Sequence, residues 1–166
     1  MSVHPWKKTG SKKLADYRVY GVRSDTKVSP RTGEHHDFYI IEAVNWVNVI
    51  PITREGKIVM VEQYRHGSDT IELEIPGGMM DPGDKDPVAT ALRELTEETG
   101  YVGENARLIG QIYSNPAIMN NVCYTILVEQ CVLQTTVQPE PTDQQTLVRD
   151  TALTLLVSTL GLVPSR

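Results

Sequence analysis

The chain has 166 residues, which is enough for one domain with a sizeable core and short for two. Its net charge of −5 argues against a surface that binds nucleic acid, because such a surface needs a basic face. The sequence has no run of about 18 or more apolar residues and no apolar core of a signal peptide, so we expect no membrane contact and a cytoplasmic protein.

Two β-rich segments follow a polar lead-in. Residues 1–15 are polar, whereas residues 17–23 and 37–44 are rich in β-branched and aromatic side chains. Pro30 and Gly33 mark a turn between these two segments. We therefore predict additional antiparallel strands at the N-terminus, ahead of the main sheet.

Further strands lead to a loop that opens on two adjacent glycines. Strands are predicted over residues 46–53, 57–64 and 70–76, and the sequence Arg-Glu-Gly between the first two indicates a hairpin. Gly77 and Gly78 then begin the loop. Paired glycines of this kind let backbone groups approach a ligand closely.

One helix is well delimited by the residues at its ends. Asp86 is a good N-cap, Pro87 suits the first helical position, and Gly100 suits the left-handed residue beyond the helix. At about 100° per residue, one face forms a stripe that we expect to be buried. Its members are Val88, Ala91, Leu92, Leu95 and Thr99.

Two more strands and a tail complete the chain. The strands are predicted over residues 107–114 and 122–133, on either side of a loop at 115–121. Many short strands and one helix indicate a mixed α/β domain. We expect a single domain over residues 1–166, divided into a strand region at 1–45, a core at 46–132 and a tail at 133–166 that the pattern assigns to neither helix nor strand.

Histidine and cysteine side chains are not expected to form a metal site. His35 and His36 fall in a predicted loop, where we expect a solvated pair. Cys123 and Cys131 fall on one predicted strand, about 26 Å apart, which is beyond disulfide reach. Two reduced thiols are typical of a cytosolic protein.

Three glutamates stand beside the buried stripe of the predicted helix. Glu94, Glu97 and Glu98 fall within an arc of about 100°, and Arg93 is placed to pair with Glu97 four residues later. A solvated acidic face explains such a cluster equally well when the helix is considered alone. A glycine loop facing the carboxylates instead makes an oxygen-rich site suited to Mg²⁺, which bridges carboxylates to phosphate oxygens.

The segment that opens at Gly78 and closes with Arg-Glu-Leu-Thr-Glu-Glu-Thr-Gly-Tyr at residues 93–101 resembles the signature box of the Nudix hydrolases. The likeness extends over about residues 37–132. Asp84 stands where the box has its first glutamate, and one extra residue follows before Arg93. We expect Asp84 to substitute in supporting the loop.

The resemblance implies a fold and a chemistry. The implied fold is an α/β/α sandwich around a mixed β-sheet, and the implied reaction is hydrolysis of a small nucleoside diphosphate compound with Mg²⁺ or Mn²⁺. Glu94 and Glu98 would be the main metal ligands, with Glu97 as a further ligand or an orienting group. Arg93 would fix a glutamate by ion pairing, and the Gly77 carbonyl is a further candidate ligand.

The strands before the box look most like the branch that acts on ADP-ribose and ADP-sugars. Arg65 is the candidate cation for the substrate diphosphate, and a surface ion pair is the alternative. Trp46 is a candidate for stacking on a base, although a place in the core or an interface is more common. Pro116 lies near the position of a proline in that branch, and Asn120, like its neighbouring asparagines, either binds substrate or makes the turn.

The catalytic base is expected from a late acidic loop. That loop offers Glu140 and Asp143 in this chain. Two other functions stay open: release of pyrophosphate from nucleoside triphosphates, and a Nudix-fold module that binds a nucleotide without cleaving it. The resemblance also implies a homodimer paired through the N-terminal strands.

Overall fold

The computed structural model describes residues 2–81, 83–84, 86–135 and 147–152, the last of these by their backbone. Within these ranges no helix has the length and apolar character needed to cross a lipid bilayer. The strands, in chain order, are β1 (Lys7–Asp16), β2 (Tyr20–Val28), β3 (His35–Ala43), β4 (Trp46–Thr53), β5 (Lys57–Arg65), β6 (Thr70–Glu74), β7 (Gly77–Met79), β8 (Tyr101–Tyr113), β9 (Val122–Leu133) and β10 (Leu147–Ala152), and the helix α1 (Pro87–Thr99) lies between β7 and β8.

The chain divides into two compact units. One unit comprises Met1–Asn45 with Ile112–Cys123, and the other comprises Trp46–Gln111 with Tyr124–Arg166. The expectation of a single domain stays a prediction.

The first unit contains a three-stranded antiparallel sheet in the order β1-β2-β3. A buried charged residue of this sheet is Asp25, which is 2% exposed. Asp25 Oδ1 accepts hydrogen bonds from Ser11 Oγ at 2.6 Å and from Arg23 Nε at 3.0 Å. The bond from Ser11 connects β1 to β2, because Ser11 and Asp25 are cross-strand partners, whereas Arg23 lies on β2 with Asp25.

A loop at residues 114–121 is attached to the end of β3 in the same unit. The Ile41 N–H donates to the Ile118 carbonyl at 2.7 Å. The Val122 N–H donates to Oδ1 of Asn45 at 2.8 Å. The loop is therefore held by a backbone bond near its middle and by a side-chain bond at its C-terminal end.

The second unit contains a seven-stranded sheet and the helix. The strand order is β10-β5-β4-β9-β8, with β6 paired to β5 and β7 paired to β4. Helix α1 packs Ala91 and Leu95 onto the sheet, where both are fully buried. The rest of that buried cluster is Val47, Val49, Met80, Ile126, Val128 and Cys131.

The ends of α1 agree with the sequence prediction. The Asp86 side chain accepts a hydrogen bond from the Val88 N–H at 2.9 Å, and Pro87 is the first helical residue. Gly100 has a φ of 72°, in the left-handed region that favours glycine. The buried stripe is also confirmed: Ala91, Leu95 and Thr99 are buried, and Val88 and Leu92 pack partly buried against the core.

Two expectations about the N-terminal region are wrong. Residues 1–15 are not a lead-in, since β1 begins at Lys7; its side chains are mostly exposed, so the strand leaves no hydrophobic pattern. The expected loop at His35 and His36 is part of β3, where His36 pairs with Lys27. The ring of Trp6 lies 5.5 Å from that of His36, which places an aromatic contact on this strand.

Two expectations about the second unit are also corrected. Gly77 and Gly78 lie in the short strand β7 rather than in a loop, paired with Asn48 and Val47 of β4. Strand β8 starts at Tyr101, six residues before the predicted start, because the turn at Gly100 leads directly into it. The first error concerns pairing with a distant strand, which local sequence does not specify.

The two cysteines agree with expectation. Cys123 and Cys131 both lie on β9, and both are buried and free. Burial raises the pKa of both thiols, that of Cys131 to about 11. They are therefore protonated and unreactive at neutral pH.

Candidate active site

Helix α1 carries three glutamates that differ in exposure. The Glu94 side chain is 13% exposed, Glu98 is partly buried, and the Glu97 side chain is 58% exposed. The helical spacing therefore turns Glu94 and Glu98, four residues apart, toward the protein and leaves Glu97 at the rim.

Glu98 is held by one donor on each of its carboxylate oxygens. The Gly77 N–H donates to Oε2 at 3.0 Å, and Gln63 Nε2 donates to Oε1 at 3.1 Å. The donors come from β7 and β5, so the carboxylate connects the helix to two strands. Its position is thus fixed by tertiary contacts as well as by the helix.

Glu94 lies directly on Gly78. A Cβ built at position 78 would fall 2.5 Å from Cδ of Glu94 and 2.6 Å from both carboxylate oxygens. A methyl group there is sterically impossible without moving the carboxylate. A side chain at position 78 would thus have to displace the Glu94 carboxylate, and glycine avoids this displacement.

Arg93 binds more than one of the acids. Its Nη2 lies 2.9 Å from Glu94 Oε1, and its Nη1 donates to Glu97 Oε2 at 2.8 Å. The predicted pairing of Arg93 with Glu97 is therefore present. Burial lowers the pKa of Arg93, but the hydrogen bond to Glu97 and the carboxylate charges outweigh it and leave the pKa raised.

Asp84 braces the segment between β7 and the helix. Its Oδ2 accepts hydrogen bonds from the Asp81 N–H and from Thr90 Oγ1, both at 3.0 Å. Nη2 of Arg93 lies 3.8 Å from the same oxygen. These contacts are those of a residue that supports the loop, the role that we expected for Asp84.

The two inner carboxylates lie in an environment that disfavours their charge. Burial raises the pKa of the Glu94 carboxyl, and the Glu97 charge adds to the effect, although Arg93 opposes it. Burial also raises the pKa of the Glu98 carboxyl, against the effect of its two hydrogen-bond donors, and the Glu94 charge raises it further. A bound cation would favour the charged form of both carboxyl groups and so lower both pKa values.

The donor set fits a magnesium-like ion that completes its coordination elsewhere. In the part of the chain that the structure describes, no three His, Cys, Asp or Glu side chains are grouped closely enough to hold a metal by themselves. Mg²⁺ commonly takes one or two carboxylates together with waters and phosphate oxygens. Glu94 and Glu98 would supply those two carboxylates, and this assignment stays a prediction, as does further ligation by Glu97 and the Gly77 carbonyl.

The sequence profile of the NUDIX domain matches residues 44–152, which is more than half of the chain. The chain belongs to the Nudix family. The Nudix box at Gly78–Tyr101 lies inside the matched range, and the site just described is built from it.

Curated relatives include two that are named for pyrophosphatase activity. An ADP-ribose pyrophosphatase of Bacillus subtilis is 37% identical over 55% of this chain and 49% of its own length. A methanol dehydrogenase activator of Bacillus methanolicus is 45% identical over 47% and 42% of the two chains. An ADP-sugar pyrophosphatase of mouse is 35% identical over 49% and 39%. The match thus spans half or less of each relative.

A solved structure confirms the fold class. The crystal structure of an ADP compounds hydrolase superposes with a TM-score of 0.81, covering 99% of this chain and 86% of the other, at 18% identity. This likeness concerns the fold. The predicted Nudix-type α/β architecture, with additional antiparallel strands at the N-terminus, is therefore correct.

Two predicted substrate-binding residues lie on strands next to the Nudix box. Arg65, at the end of β5, forms a two-point ion pair with Glu74 of β6, with Nε 3.0 Å from Oε1. Its positive charge also acts on Glu98. The surface ion pair that was the alternative reading of Arg65 is thus observed, and its contact with substrate stays a prediction.

Trp46 is the first residue of β4, opposite Met79 of β7, and is 39% exposed. Its stacking on a base also stays a prediction.

The other predicted residues belong to the first unit or lie outside the described residues. Pro116 and Asn120 are exposed and belong to the loop of the first unit. Asn115 serves the turn itself, since its carbonyl accepts from the N–H groups of Ile118 and Met119. Glu140 and Asp143, the expected sources of the base, lie outside the described residues.

Two contributors to the Nudix site were not anticipated. Gln63 binds Glu98, and Thr90, which is 3% exposed, binds Asp84. A period-two pattern places Gln63 on the same face of β5 as Arg65, and that was the available signal. Thr90 gave none, because a threonine beside the apolar stripe is indistinguishable from a surface residue in sequence.

Proposed function

We propose that the chain is a metal-dependent Nudix hydrolase that cleaves the diphosphate of ADP-ribose or an ADP-sugar, giving AMP and a sugar phosphate. The observation that carries the proposal is the placement of two partly buried carboxylates with raised pKa values, Glu94 and Glu98, against the Gly77–Gly78 backbone. The names of the relatives from B. subtilis and mouse support the substrate class.

Glu94 and Glu98 would hold Mg²⁺ or Mn²⁺, with Glu97 and the Gly77 carbonyl as further ligands. When bound, the ion neutralises phosphate charge and polarises a phosphoryl oxygen. Arg93 keeps Glu94 in place through the ion pair described above. The chain's part would therefore be to present carboxylates in a fixed geometry, which contributes to the rate by orienting the reacting groups.

The remaining roles concern the substrate and the water. Arg65 would bind the diphosphate, and Trp46 would stack on the base; Pro116 and Asn120 would contact the rest of the substrate. A water oxygen forms the new bond to one phosphorus while the bridging P–O bond breaks. Glu140 or Asp143, or Glu97 at the rim, would accept the proton of that water.

We also propose where and in what form the protein works. Its two free, buried cysteines are compatible with a cytoplasmic location. The resemblance supports a homodimer paired through the N-terminal strands, and the antiparallel β1–β2–β3 sheet supplies a surface for it. Light scattering of the purified chain tests the dimer.

The decisive test of the activity is a substrate panel with products identified by mass. ADP-ribose, ADP-sugars and nucleoside triphosphates are incubated with Mg²⁺ or Mn²⁺. We expect AMP and a sugar phosphate; pyrophosphate from triphosphates would instead indicate the triphosphate reaction, and binding without turnover a nucleotide-binding module.

The matched pair of variants for that panel is Glu98→Gln and Glu104→Gln. Glu98→Gln removes the charge of an inner carboxylate and is expected to abolish turnover while the fold is retained. Glu104 is an exposed glutamate of β8, so its variant should keep full activity. Full turnover by Glu98→Gln would refute the proposed site.

A further inference from the structure

Glu98 and Glu94 are held in chemically different ways. The Glu94 carboxylate has a guanidinium nitrogen of Arg93 at 2.9 Å. The Glu98 carboxylate instead receives two uncharged donors, the Gly77 N–H and the Gln63 amide. Uncharged donors fix the plane of a carboxylate and leave its negative charge available.

Gln63 reaches Glu98 from a strand that is itself anchored. It lies on β5 between Glu62 and Tyr64, and its pairing partner on β6 is Glu72. Its side chain is partly buried, and its Nε2 is 3.1 Å from Oε1 of Glu98. The amide thus acts from a fixed position on the neighbouring strand, 35 residues away in the sequence.

The guanidinium of Arg65, on the same face of β5 as Gln63, does not replace the hydrogen bond from Gln63 to Glu98. Arg65, two residues after Gln63, is engaged by Glu74 through Nε at 3.0 Å from Oε1 and Nη2 at 2.5 Å from Oε2. It influences Glu98 through its electric field. The hydrogen bond to Oε1 comes instead from the Gln63 amide.

We propose that Gln63 is a positioning residue, which orients the Glu98 carboxylate so that its free lone pairs face a divalent cation. This inference rests on the proposed function, because it presupposes that Glu98 is a metal ligand. Groups that hydrogen-bond to a metal-binding carboxylate typically change metal affinity or activity by about 10- to 100-fold when they are removed. Gln63 is the side-chain member of the pair of donors, so it can be deleted by mutation.

The experiment measures Mn²⁺ binding directly, by electron paramagnetic resonance of the free ion during titration of the whole chain. Gln63→Met keeps the length of the side chain and removes the donor, so we expect Mn²⁺ to bind about 10- to 100-fold more weakly. Gln63→His carries an N–H at a similar reach and should recover most of the affinity. The Mg²⁺ concentration for half-maximal hydrolysis should shift in parallel.

Tyr64→Phe is the matched control on the same strand. It removes a hydrogen bond of similar length, from the Tyr64 hydroxyl to Asp69 at 3.1 Å, that does not involve Glu98. We expect its Mn²⁺ affinity to stay within about two-fold of the wild type. Circular dichroism verifies folding, and Gln63→Ala takes the place of Gln63→Met if that variant is unfolded.

The outcomes separate this inference from the proposed function. If the wild type binds Mn²⁺ and the donor-free variant binds it equally well, the role of Gln63 is refuted while the metal site stands. Equal weakening by Gln63→His and Gln63→Met would also refute it, since the donor would then be irrelevant. If the wild type binds no Mn²⁺, the proposed function fails first.

Discussion

The Glu94 carboxylate rests on Gly78 with no space for even one methyl group between them. Gly78→Ala must therefore displace the carboxylate, and we expect kcat/KM for ADP-ribose to fall by about 100-fold, as a shift near 1 Å commonly causes. Gly83→Ala is the control, because a Cβ there meets nothing within 4 Å. Activity of Gly78→Ala equal to that of Gly83→Ala would show that the position of Glu94 is unimportant.

The raised pKa values of Glu94 and Glu98 predict how stability depends on pH without metal. Each folded-state pKa lies above its unfolded value, so the folded chain holds protons that the unfolded chain releases. The metal-free protein should lose stability as the pH rises from the ordinary carboxyl range through these raised values.

Thermal melts in the presence of a chelator measure this dependence. Glu98→Gln should flatten the curve, because a glutamine does not titrate. Added Mg²⁺ should raise the melting temperature of the wild type near neutral pH more than that of Glu98→Gln. A metal-free stability that increases over the same pH range in the wild type, and equally in the variant, would contradict the electrostatic account.

Variants of Arg65 and Glu74 test the proposal that Arg65 binds the substrate diphosphate. Arg65→Ala should raise the KM for ADP-ribose by about ten-fold or more, with a smaller effect on kcat, because a charged hydrogen bond to phosphate is lost. Glu74→Gln frees the guanidinium from its ion pair and should leave the KM unchanged or lower. A KM unaffected by Arg65→Ala would show that Arg65 and Glu74 form an ion pair with a structural role only.

The lowered pKa of Asp25 predicts that the stability of the first unit depends on pH in the opposite direction. Burial raises its pKa, but the hydrogen bonds from Ser11 and Arg23 outweigh burial and leave the pKa below its usual value. The stability that Asp25 provides is present above the ordinary carboxyl range and is lost as the pH falls through its lowered pKa.

Urea denaturation of Asp25→Ala measures that contribution. The variant should lose about 1–3 kcal/mol at pH 7, because donors around a buried carboxylate lose their acceptor. Asp16→Asn alters an ion pair with Lys13 whose two side chains are largely exposed, and it should change little. An Asp25→Ala curve that matches the wild type at pH 7 would show that the buried carboxylate contributes nothing.

The helix and its acids were predictable because their signals are local. The N-cap Asp86, Pro87 and the left-handed Gly100 lie within one segment, and the spacing of Glu94 and Glu98 is fixed by the helical repeat. The hairpin between β4 and β5 was predictable for the same reason, since Gly56 has a φ of 74° in its turn.

The rest of the site depends on pairing between distant segments. Gly77 lies in β7 because β4 accepts it as a partner, and Gln63 faces Glu98 because β5 packs near the helix. Neither relationship can be inferred from a short segment of the sequence. Strand β1 escaped prediction for a related reason: it is held by pairing to β2 with its side chains in solvent, so no hydrophobic period marks it.

The proposed reaction depends on a divalent cation that Glu94 and Glu98 would hold beside the two glycines of β7. The most direct measurement is anomalous diffraction from crystals of the chain soaked in Mn²⁺. We predict a peak within coordination distance of both carboxylates. A map without a peak there, and with the two side chains turned to bulk solvent, would contradict the account.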